Sequence, residues 1–205
     1  MVSLPSLPIS PAYFEAMFAG NDDPWRFKSR WYEARKRALT LAMLPRQRYA
    51  SAYEPGCANG ELSAELATRC DRLLISDGTP RAVDVARQRV QWLPQVEVIQ
   101  AWVPDQWPAE TFDLIVISEL GYFLEPEALD TLIDKARTSL RPDATVLACH
   151  WRRPIKGCVL GGDEVQARIA GRLNLPHLAG FMDADFLLDV WCTEAQSVAQ
   201  IEQIP

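Results

Sequence analysis

Two acidic residues and two glycines concentrate the chemistry that this sequence can do. Glu54 stands at the head of Glu54-Pro55-Gly56-Cys57-Ala58-Asn59-Gly60, and Asp77 closes the apolar run Leu73-Leu74-Ile75-Ser76-Asp77. Gly56 and Gly60 carry no Cβ, so the backbone of Cys57 and Ala58 between them can lie against a ligand. Dinucleotide folds hold a pyrophosphate at such a corner with the spacing G-x-G-x-x-G. Here the pattern is E-x-G-x-x-x-G, which serves a bulky dianion poorly, while Glu54 suits a ligand bearing positive charge, an ammonium or a sulfonium. A carboxylate about 20 positions beyond the glycines is where a ribose diol is gripped, and Asp77-Gly78 stands there. Asp77 is equally placed to begin the turn Gly78-Thr79-Pro80, with Thr79 as N-cap and Pro80 at the first helical position. The plain alternative for the whole corner is a strand-to-helix turn without a ligand.

The elements around the corner follow from periodicity. Tyr49–Glu54 reads as a short strand, and Leu62 and Leu66, one turn apart, start a helix after Gly60. A helix from Pro80 to about Val90, strands at Val96–Ile99 and Phe112–Ser118, a helix from Pro126 to Leu140, a turn at Arg141-Pro142-Asp143 and a strand at Thr145–Cys149 continue the alternation. That spacing predicts a doubly wound α/β domain with a mostly parallel sheet. Beyond it, a helix over Asp163–Leu173 and a strand over Asp185–Cys192 are expected, and the tail from Ser197 is ambiguous. Ahead of the sheet, Pro5, Pro8 and Pro11 mark residues 1–12 as a loosely ordered lead-in, Tyr13–Phe18 as a short helix, and Arg26–Leu44 as a longer one. In that longer helix Trp31, Ala34, Ala38, Leu41 and Ala42 form the stripe expected to face inward.

With 205 residues and 48% hydrophobic content, the chain suits one domain over residues 1–205, an N-terminal helical layer followed by an α/β core. A net charge of −6 and a pI of about 5.0 give no electrostatic footprint for a nucleic-acid backbone. Five cysteines without C-x-x-C spacing and two histidines make no metal-ligand cluster. The odd cysteine count, the lack of a signal-like N-terminus and the lack of an apolar run of ~18 residues lead to the expectation of a cytoplasmic protein with no membrane partner.

In open α/β sheets the ligand lies beyond the carboxyl ends of the strands. This sequence places Gln100-Ala101-Trp102-Val103-Pro104, Ser118-Glu119-Leu120-Gly121-Tyr122 and His150-Trp151-Arg152 there, besides the glycine corner. Trp102 either stacks on a purine or packs as an ordinary tryptophan.

The chain resembles the class I S-adenosylmethionine-dependent methyltransferases, and among them the nodulation protein S group. Asp23-Pro24-Trp25, Trp31-Tyr32-Glu33, the segment 54–60, Trp107-Pro108, Phe112–Glu119, Leu140-Arg141-Pro142, His150-Trp151-Arg152 and Gly162-Asp163-Glu164-Val165 carry the likeness. The resemblance implies a seven-stranded sheet with six strands parallel and the last antiparallel, and S-adenosyl-L-methionine as cofactor. It implies that Gly56 and Gly60 lie against the methionine part and that Asp77 binds the ribose. It also implies an N-methyltransferase acting on a small polar acceptor, such as an amino sugar or chitooligosaccharide. The acidic partner usual for adenine after the third strand has no counterpart, because Trp102-Val103-Pro104 fills that place. Members of the group often carry histidine where this chain has Gln166, which points to a difference in substrate choice.

For an amine acceptor, a carboxylate or imidazole must orient the nitrogen and take its proton. Glu119 and His150 are the candidates, Tyr122 is expected in the acceptor pocket, Ser118 and Val103 beside the cofactor, and Trp25, Trp31 and Tyr32 over it as an aromatic lid. The bland alternatives are a capping role for Glu119, a satisfied core histidine for His150, and anchoring of the N-terminal helix for the aromatics. Two other functions share this corner: a non-catalytic S-adenosylmethionine-binding module, and a nicotinamide-dependent oxidoreductase, which the missing middle glycine disfavours.

Overall fold

A computed structural model describes residues 9–204. The lead-in at residues 1–8 lies outside the described residues. In chain order the elements are α1 (Pro11–Phe18), α2 (Trp31–Met43), β1 (Ala52–Pro55), α3 (Glu61–Leu66), β2 (Leu73–Asp77), α4 (Pro80–Val90), β3 (Val96–Gln100), β4 (Phe112–Ser118), α5 (Pro126–Thr138), β5 (Leu140–Trp151), α6 (Gly162–Leu173), β6 (His177–Met182), β7 (Phe186–Cys192) and α7 (Val198–Ile201).

One seven-stranded sheet has the order β3-β2-β1-β4-β5-β7-β6. β1 to β5 pair in parallel, and β7 runs antiparallel between β5 and β6. The order reverses between β1 and β4, which is the switch point where such sheets bind ligands.

Alternate residues of each strand feed opposite faces. Leu114 and Val116 of β4 join Leu73, Ile75, Leu147 and Leu188 in one apolar cluster, against which Leu39, Met43 and Leu62 pack from α2 and α3. Ile115 and Ile117 join Val146, Leu129, Ile133, Val165 and Ile169 in the other, under α5 and α6. Each fully buried Leu or Ile removes enough apolar surface from water to contribute ~1.5–3 kcal/mol. Both faces are covered, which is why the central strands read as continuous apolar runs.

Several boundaries differ from the sequence expectation. The longer N-terminal helix starts at Trp31 rather than Arg26, because the Asp23 carboxylate accepts the N–H groups of Phe27 and Lys28 and Arg26 takes φ 63°, making a turn. The expected turn at Arg141-Pro142-Asp143 lies inside β5, as an irregularity in its pairing with β4 where Asp143 takes φ 63°. The seventh strand that the resemblance implies, which periodicity does not locate, is β6, an edge strand without alternating apolar residues.

The inward face of α2 is the largest correction. Trp31 is 78% exposed, Ala38 and Ala42 are exposed, and the fully buried positions are Glu33, Lys36 and Thr40. The helix turns a polar face toward the protein.

Candidate functional site

A cavity of about 610 Å³ opens at the carboxyl ends of the parallel strands, within the range of small-molecule sites. Its floor is the sheet edge, and α1, α2 and the loop between them roof it.

Glu54, Gly56, Cys57 and Ala58 line the floor. Ala58 takes a left-handed φ of 49°, held there by its N–H donating to Asp77 Oδ2 at 3.0 Å. The other oxygen, Asp77 Oδ1, accepts from the N–H of Thr79 at 2.8 Å, so Asp77 both shapes the glycine corner and starts α4, as the sequence allowed. Burial raises the Asp77 carboxyl despite these donors. Gly60 forms the turn with φ 75° at the N-cap of α3, and a Cβ there would press on the backbone of Ala86 at 3.3 Å. It supports the corner from behind and does not line the cavity.

Glu54 is 3% exposed, and its Oε2 has no hydrogen-bond partner among the described residues. Burial pushes its carboxyl up to about 8. Asn59 Oδ1 and the Tyr32 hydroxyl are likewise buried without partners among the described residues, and both residues line the same cavity. Natural proteins rarely leave buried polar groups unsatisfied. Three such groups around one cavity are the arrangement expected of a site that completes its hydrogen bonds with a ligand.

Asp77, Gly78, Trp102 and Val103 form the next wall. The Trp102 ring lies so close on Gly78 that a Cβ there would sit 2.1 Å from it, so only glycine fits. Ser118, Glu119 and Tyr122 come from the end of β4 and the turn after it. Gly56 meets the side chain of Leu120 in that turn, which sets the two loops side by side.

Glu119 takes φ 55°, a strained conformation for a residue with a side chain. Its backbone N–H donates to Cys149 O at 2.8 Å, and its carboxylate accepts three donors: Lys36 Nζ at 2.7 Å on Oε1, the Trp151 N–H at 3.1 Å and the Tyr122 hydroxyl on Oε2. Burial would raise the Glu119 carboxyl, yet Lys36 and the other donors hold it below its ordinary value. Burial would lower Lys36, yet Glu119 and Glu33 outweigh it and keep the ammonium charged. The Tyr122 phenol is pushed up by burial and by the Glu119 charge.

His150 does not reach the cavity. It is fully buried, accepts the Gly121 N–H on Nε2 at 3.1 Å, and pairs through Nδ1 with Gln166 Oε1 at 2.8 Å. Accepting on Nε2 leaves the proton on Nδ1, which donates to Gln166. Gln166 Nε2 in turn donates to Ala148 O and to Asp189 Oδ2. Burial lowers the His150 imidazole, so it is neutral at pH 7. His150 therefore holds the turn that carries Glu119 and Tyr122, and Gln166 is its partner rather than a cavity residue. Trp31, exposed, is also off the cavity, whereas Tyr32 and Trp25 line it. The sequence reading missed Lys36, Glu33 and Phe14 as site residues, all of which line it.

The strand order and the cavity at the switch point define the Rossmann-like fold of S-adenosylmethionine-dependent methyltransferases, with which solved structures align over most of the chain. The family profile of nodulation protein S matches residues 17–174, and the chain belongs to that family. Nodulation protein S of Rhizobium tropici is 36% identical over 104 residues, covering 50% of this chain and 44% of that protein. The chain spans about half the length of the curated relatives it matches. A crystallised candidate methyltransferase from Pseudomonas syringae is 53% identical, with a TM-score of 0.72 over 80% of this chain and 99% of that one. The N-methyltransferase NodS from Bradyrhizobium japonicum WM9, solved with S-adenosyl-L-homocysteine, is 27% identical, with a TM-score of 0.80 over 89% of this chain and 97% of its own. Among the described residues no helix is long and apolar enough to cross a membrane.

Proposed function

We propose that the protein transfers a methyl group from S-adenosyl-L-methionine to the amine of a small polar acceptor, an amino sugar or a short amino-oligosaccharide. The observation that carries this reading is the unpartnered Glu54 Oε2, buried in the cavity beside the glycine corner. A carboxylate in that setting gains most from a cationic ligand group. Gly56, Cys57, Ala58 and Asn59 would hold the amino-acid end of the cofactor, Asp77 the ribose, and Trp102 and Val103 the adenine.

The bound cofactor supplies an activated methyl carried on a sulfonium. The protein's own contribution is to bring the acceptor nitrogen into line with that methyl and to exclude water. Holding two reactants in near-attack geometry can remove ~7–11 kcal/mol of a barrier. The roof does this here: Phe14, Trp25 and Phe27 close over the sheet edge, tied by Phe14–Phe123 and Trp25–Phe27 ring contacts with centroids 5.1 and 5.6 Å apart.

The relative solved with S-adenosyl-L-homocysteine supports the choice of donor, and its description as an N-methyltransferase supports an amine acceptor. The test is radiolabelled methyl transfer from S-adenosylmethionine to a panel of free and acetylated amino sugars and their oligomers. Label on the free amines alone is expected; label on hydroxyls, or none, overturns the reading.

A further inference from the structure

The roof helix α2 buries its polar side. Glu33 and Lys36 are each 6% exposed and face the cavity, while Trp31, Ala38 and Ala42 of the same helix face solvent. Lysine and glutamate are among the residues least often fully buried, and burying them costs free energy unless their charges are met. The arrangement meets those charges only in part. Lys36 Nζ lies 2.7 Å from Glu119 Oε1 and 3.0 Å from Glu33 Oε2, so one cation serves two carboxylates.

The two carboxylates are not equivalent. Glu119 accepts three donors, from Lys36, Tyr122 and the Trp151 N–H. Glu33 meets only Lys36, and its other oxygen has no hydrogen-bond partner among the described residues. The charged and titratable neighbours of Glu33 are Tyr32, Lys36 and Arg37 of α2, Glu119 across the cavity and Cys149 of β5. Arg37 is engaged elsewhere, with Glu65 Oε1 at 2.6 Å and Phe27 O at 2.9 Å. The cluster thus leaves one negative charge and one open carboxylate oxygen in the wall of the cavity that also holds the unpartnered Glu54.

We propose that Glu33 is the catalytic residue that meets the acceptor amine as its ammonium ion and receives its proton, with Lys36 and Glu119 as the positioning pair that holds it. The inference rests on the methyltransferase reading above and names the group that handles the proton in it. The bound ammonium supplies the second cation that the cluster lacks. Its proton passes to the Glu33 carboxylate and frees the nitrogen lone pair. That pair forms the N–C bond while the C–S bonding pair stays with sulfur; the product leaves as the methylated ammonium, and the Glu33 carboxyl then gives its proton to water. One proton leaves per methyl transferred, and no further reactant is needed. Glu119 already takes three donors, with the Lys36 ammonium 2.7 Å from its Oε1, and is the more committed of the two carboxylates.

The experiment compares wild type, Glu33→Gln and Glu33→Asp. Calorimetry measures S-adenosylhomocysteine binding, then binding of the fully deacetylated chitosan tetramer to that complex at pH 6.5. Label transfer from S-adenosylmethionine to the tetramer is followed from pH 5.5 to 9. The Gln variant is expected to bind S-adenosylhomocysteine within twofold of wild type, to bind the tetramer at least tenfold more weakly, and to lose at least a hundredfold in kcat together with the rising limb of the pH profile. The Asp variant, with its carboxylate drawn back, is expected to recover at least tenfold of the lost kcat. A merely structural counter-ion to Lys36 would leave the pH profile unchanged. Wild-type-like tetramer binding and an unaltered profile in Glu33→Gln overturn the role of Glu33 while the methyltransferase reading stands. A wild type that binds S-adenosylhomocysteine but neither binds nor labels the tetramer or other amines overturns both. Should Glu33→Gln fail to bind S-adenosylhomocysteine, Glu33→Asp decides, since a wild-type kcat and profile in it rules out a role that depends on the carboxylate's reach.

Discussion

The Asn59 side-chain amide donates to Asp23 Oδ1 at 2.9 Å, joining the glycine corner of the sheet to the loop that enters the roof. The same Asp23 carboxylate accepts the N–H groups of Phe27 and Lys28, so one side chain fixes both the loop and its attachment to the floor. Asp23→Ala removes all three bonds, each with a net worth of ~0.5–1.5 kcal/mol or more because the acceptor is charged. The expected outcome is at least a tenfold loss of S-adenosylhomocysteine affinity by calorimetry and faster amide exchange over residues 20–30, with the sheet amides unchanged.

Asp77 has a double task, and its variants separate the two. Asp77→Ala frees the N–H of both Ala58 and Thr79 and takes away the carboxylate, so cofactor affinity should fall by more than ~1.4 kcal/mol, a tenfold change. Asp77→Asn keeps one acceptor oxygen for the backbone, so its melting temperature should stay nearer wild type than that of Asp77→Ala. Equal affinity in a folded Asp77→Ala protein would remove Asp77 from the site.

Glu54 links proton release to binding. Its carboxyl sits at about 8 against an ordinary value of 4.5, so at pH 7 it is mostly protonated before a ligand arrives. A cationic ligand group favours the ionised form, and binding should release a proton between pH 6 and 8. Calorimetry in buffers of different ionisation enthalpy reads that release directly; Glu54→Gln should abolish it. The sign for stability follows. A raised carboxyl contributes stability that is fully present below its unfolded value and is lost as pH rises through about 8, by on the order of 5 kcal/mol. Glu54→Gln should therefore gain melting temperature relative to wild type from pH 5 to pH 8.

His150 makes the opposite pH prediction. Its imidazole is depressed by burial, so it contributes stability present above the ordinary value of 6.5 and lost as pH falls through its folded one. His150→Phe leaves the Gly121 N–H and Gln166 Oε1 without their partner. A loss of ~2–4 kcal/mol in urea unfolding at pH 7 is expected, shrinking as pH is lowered from 6.5 to 5. A variant with unchanged stability but absent turnover would return His150 to the chemistry from which its position removes it.

The floor of the site was legible because its signals are local. Gly56, Gly60 and Asp77 announce a strand-turn-helix and a second strand by composition alone, and the apolar runs name the central strands. The roof was not legible. Glu33 and Lys36 stand three apart on a helix, which in a sequence is the mark of a solvent-facing pair; only the docking of α2 over the sheet edge buries them. His150 shows a second kind of limit. Residues at the end of a strand face either side by a parity of one, and the sequence does not say whether His150 looks into the cavity or toward α6. β6 escaped because an edge strand paired on one side needs no alternating apolar pattern.

The roof is one unbroken piece of chain that ends before the first strand begins, and it touches the floor mainly through side chains such as Asn59–Asp23, Lys36–Glu119 and Arg37–Glu65. The floor is woven from five separate strand ends and cannot be altered at one place without disturbing the sheet. The two walls are thus unequally open to change: exchange of residues 9–43 can reshape one wall of the cavity while the glycine corner and Asp77 remain intact.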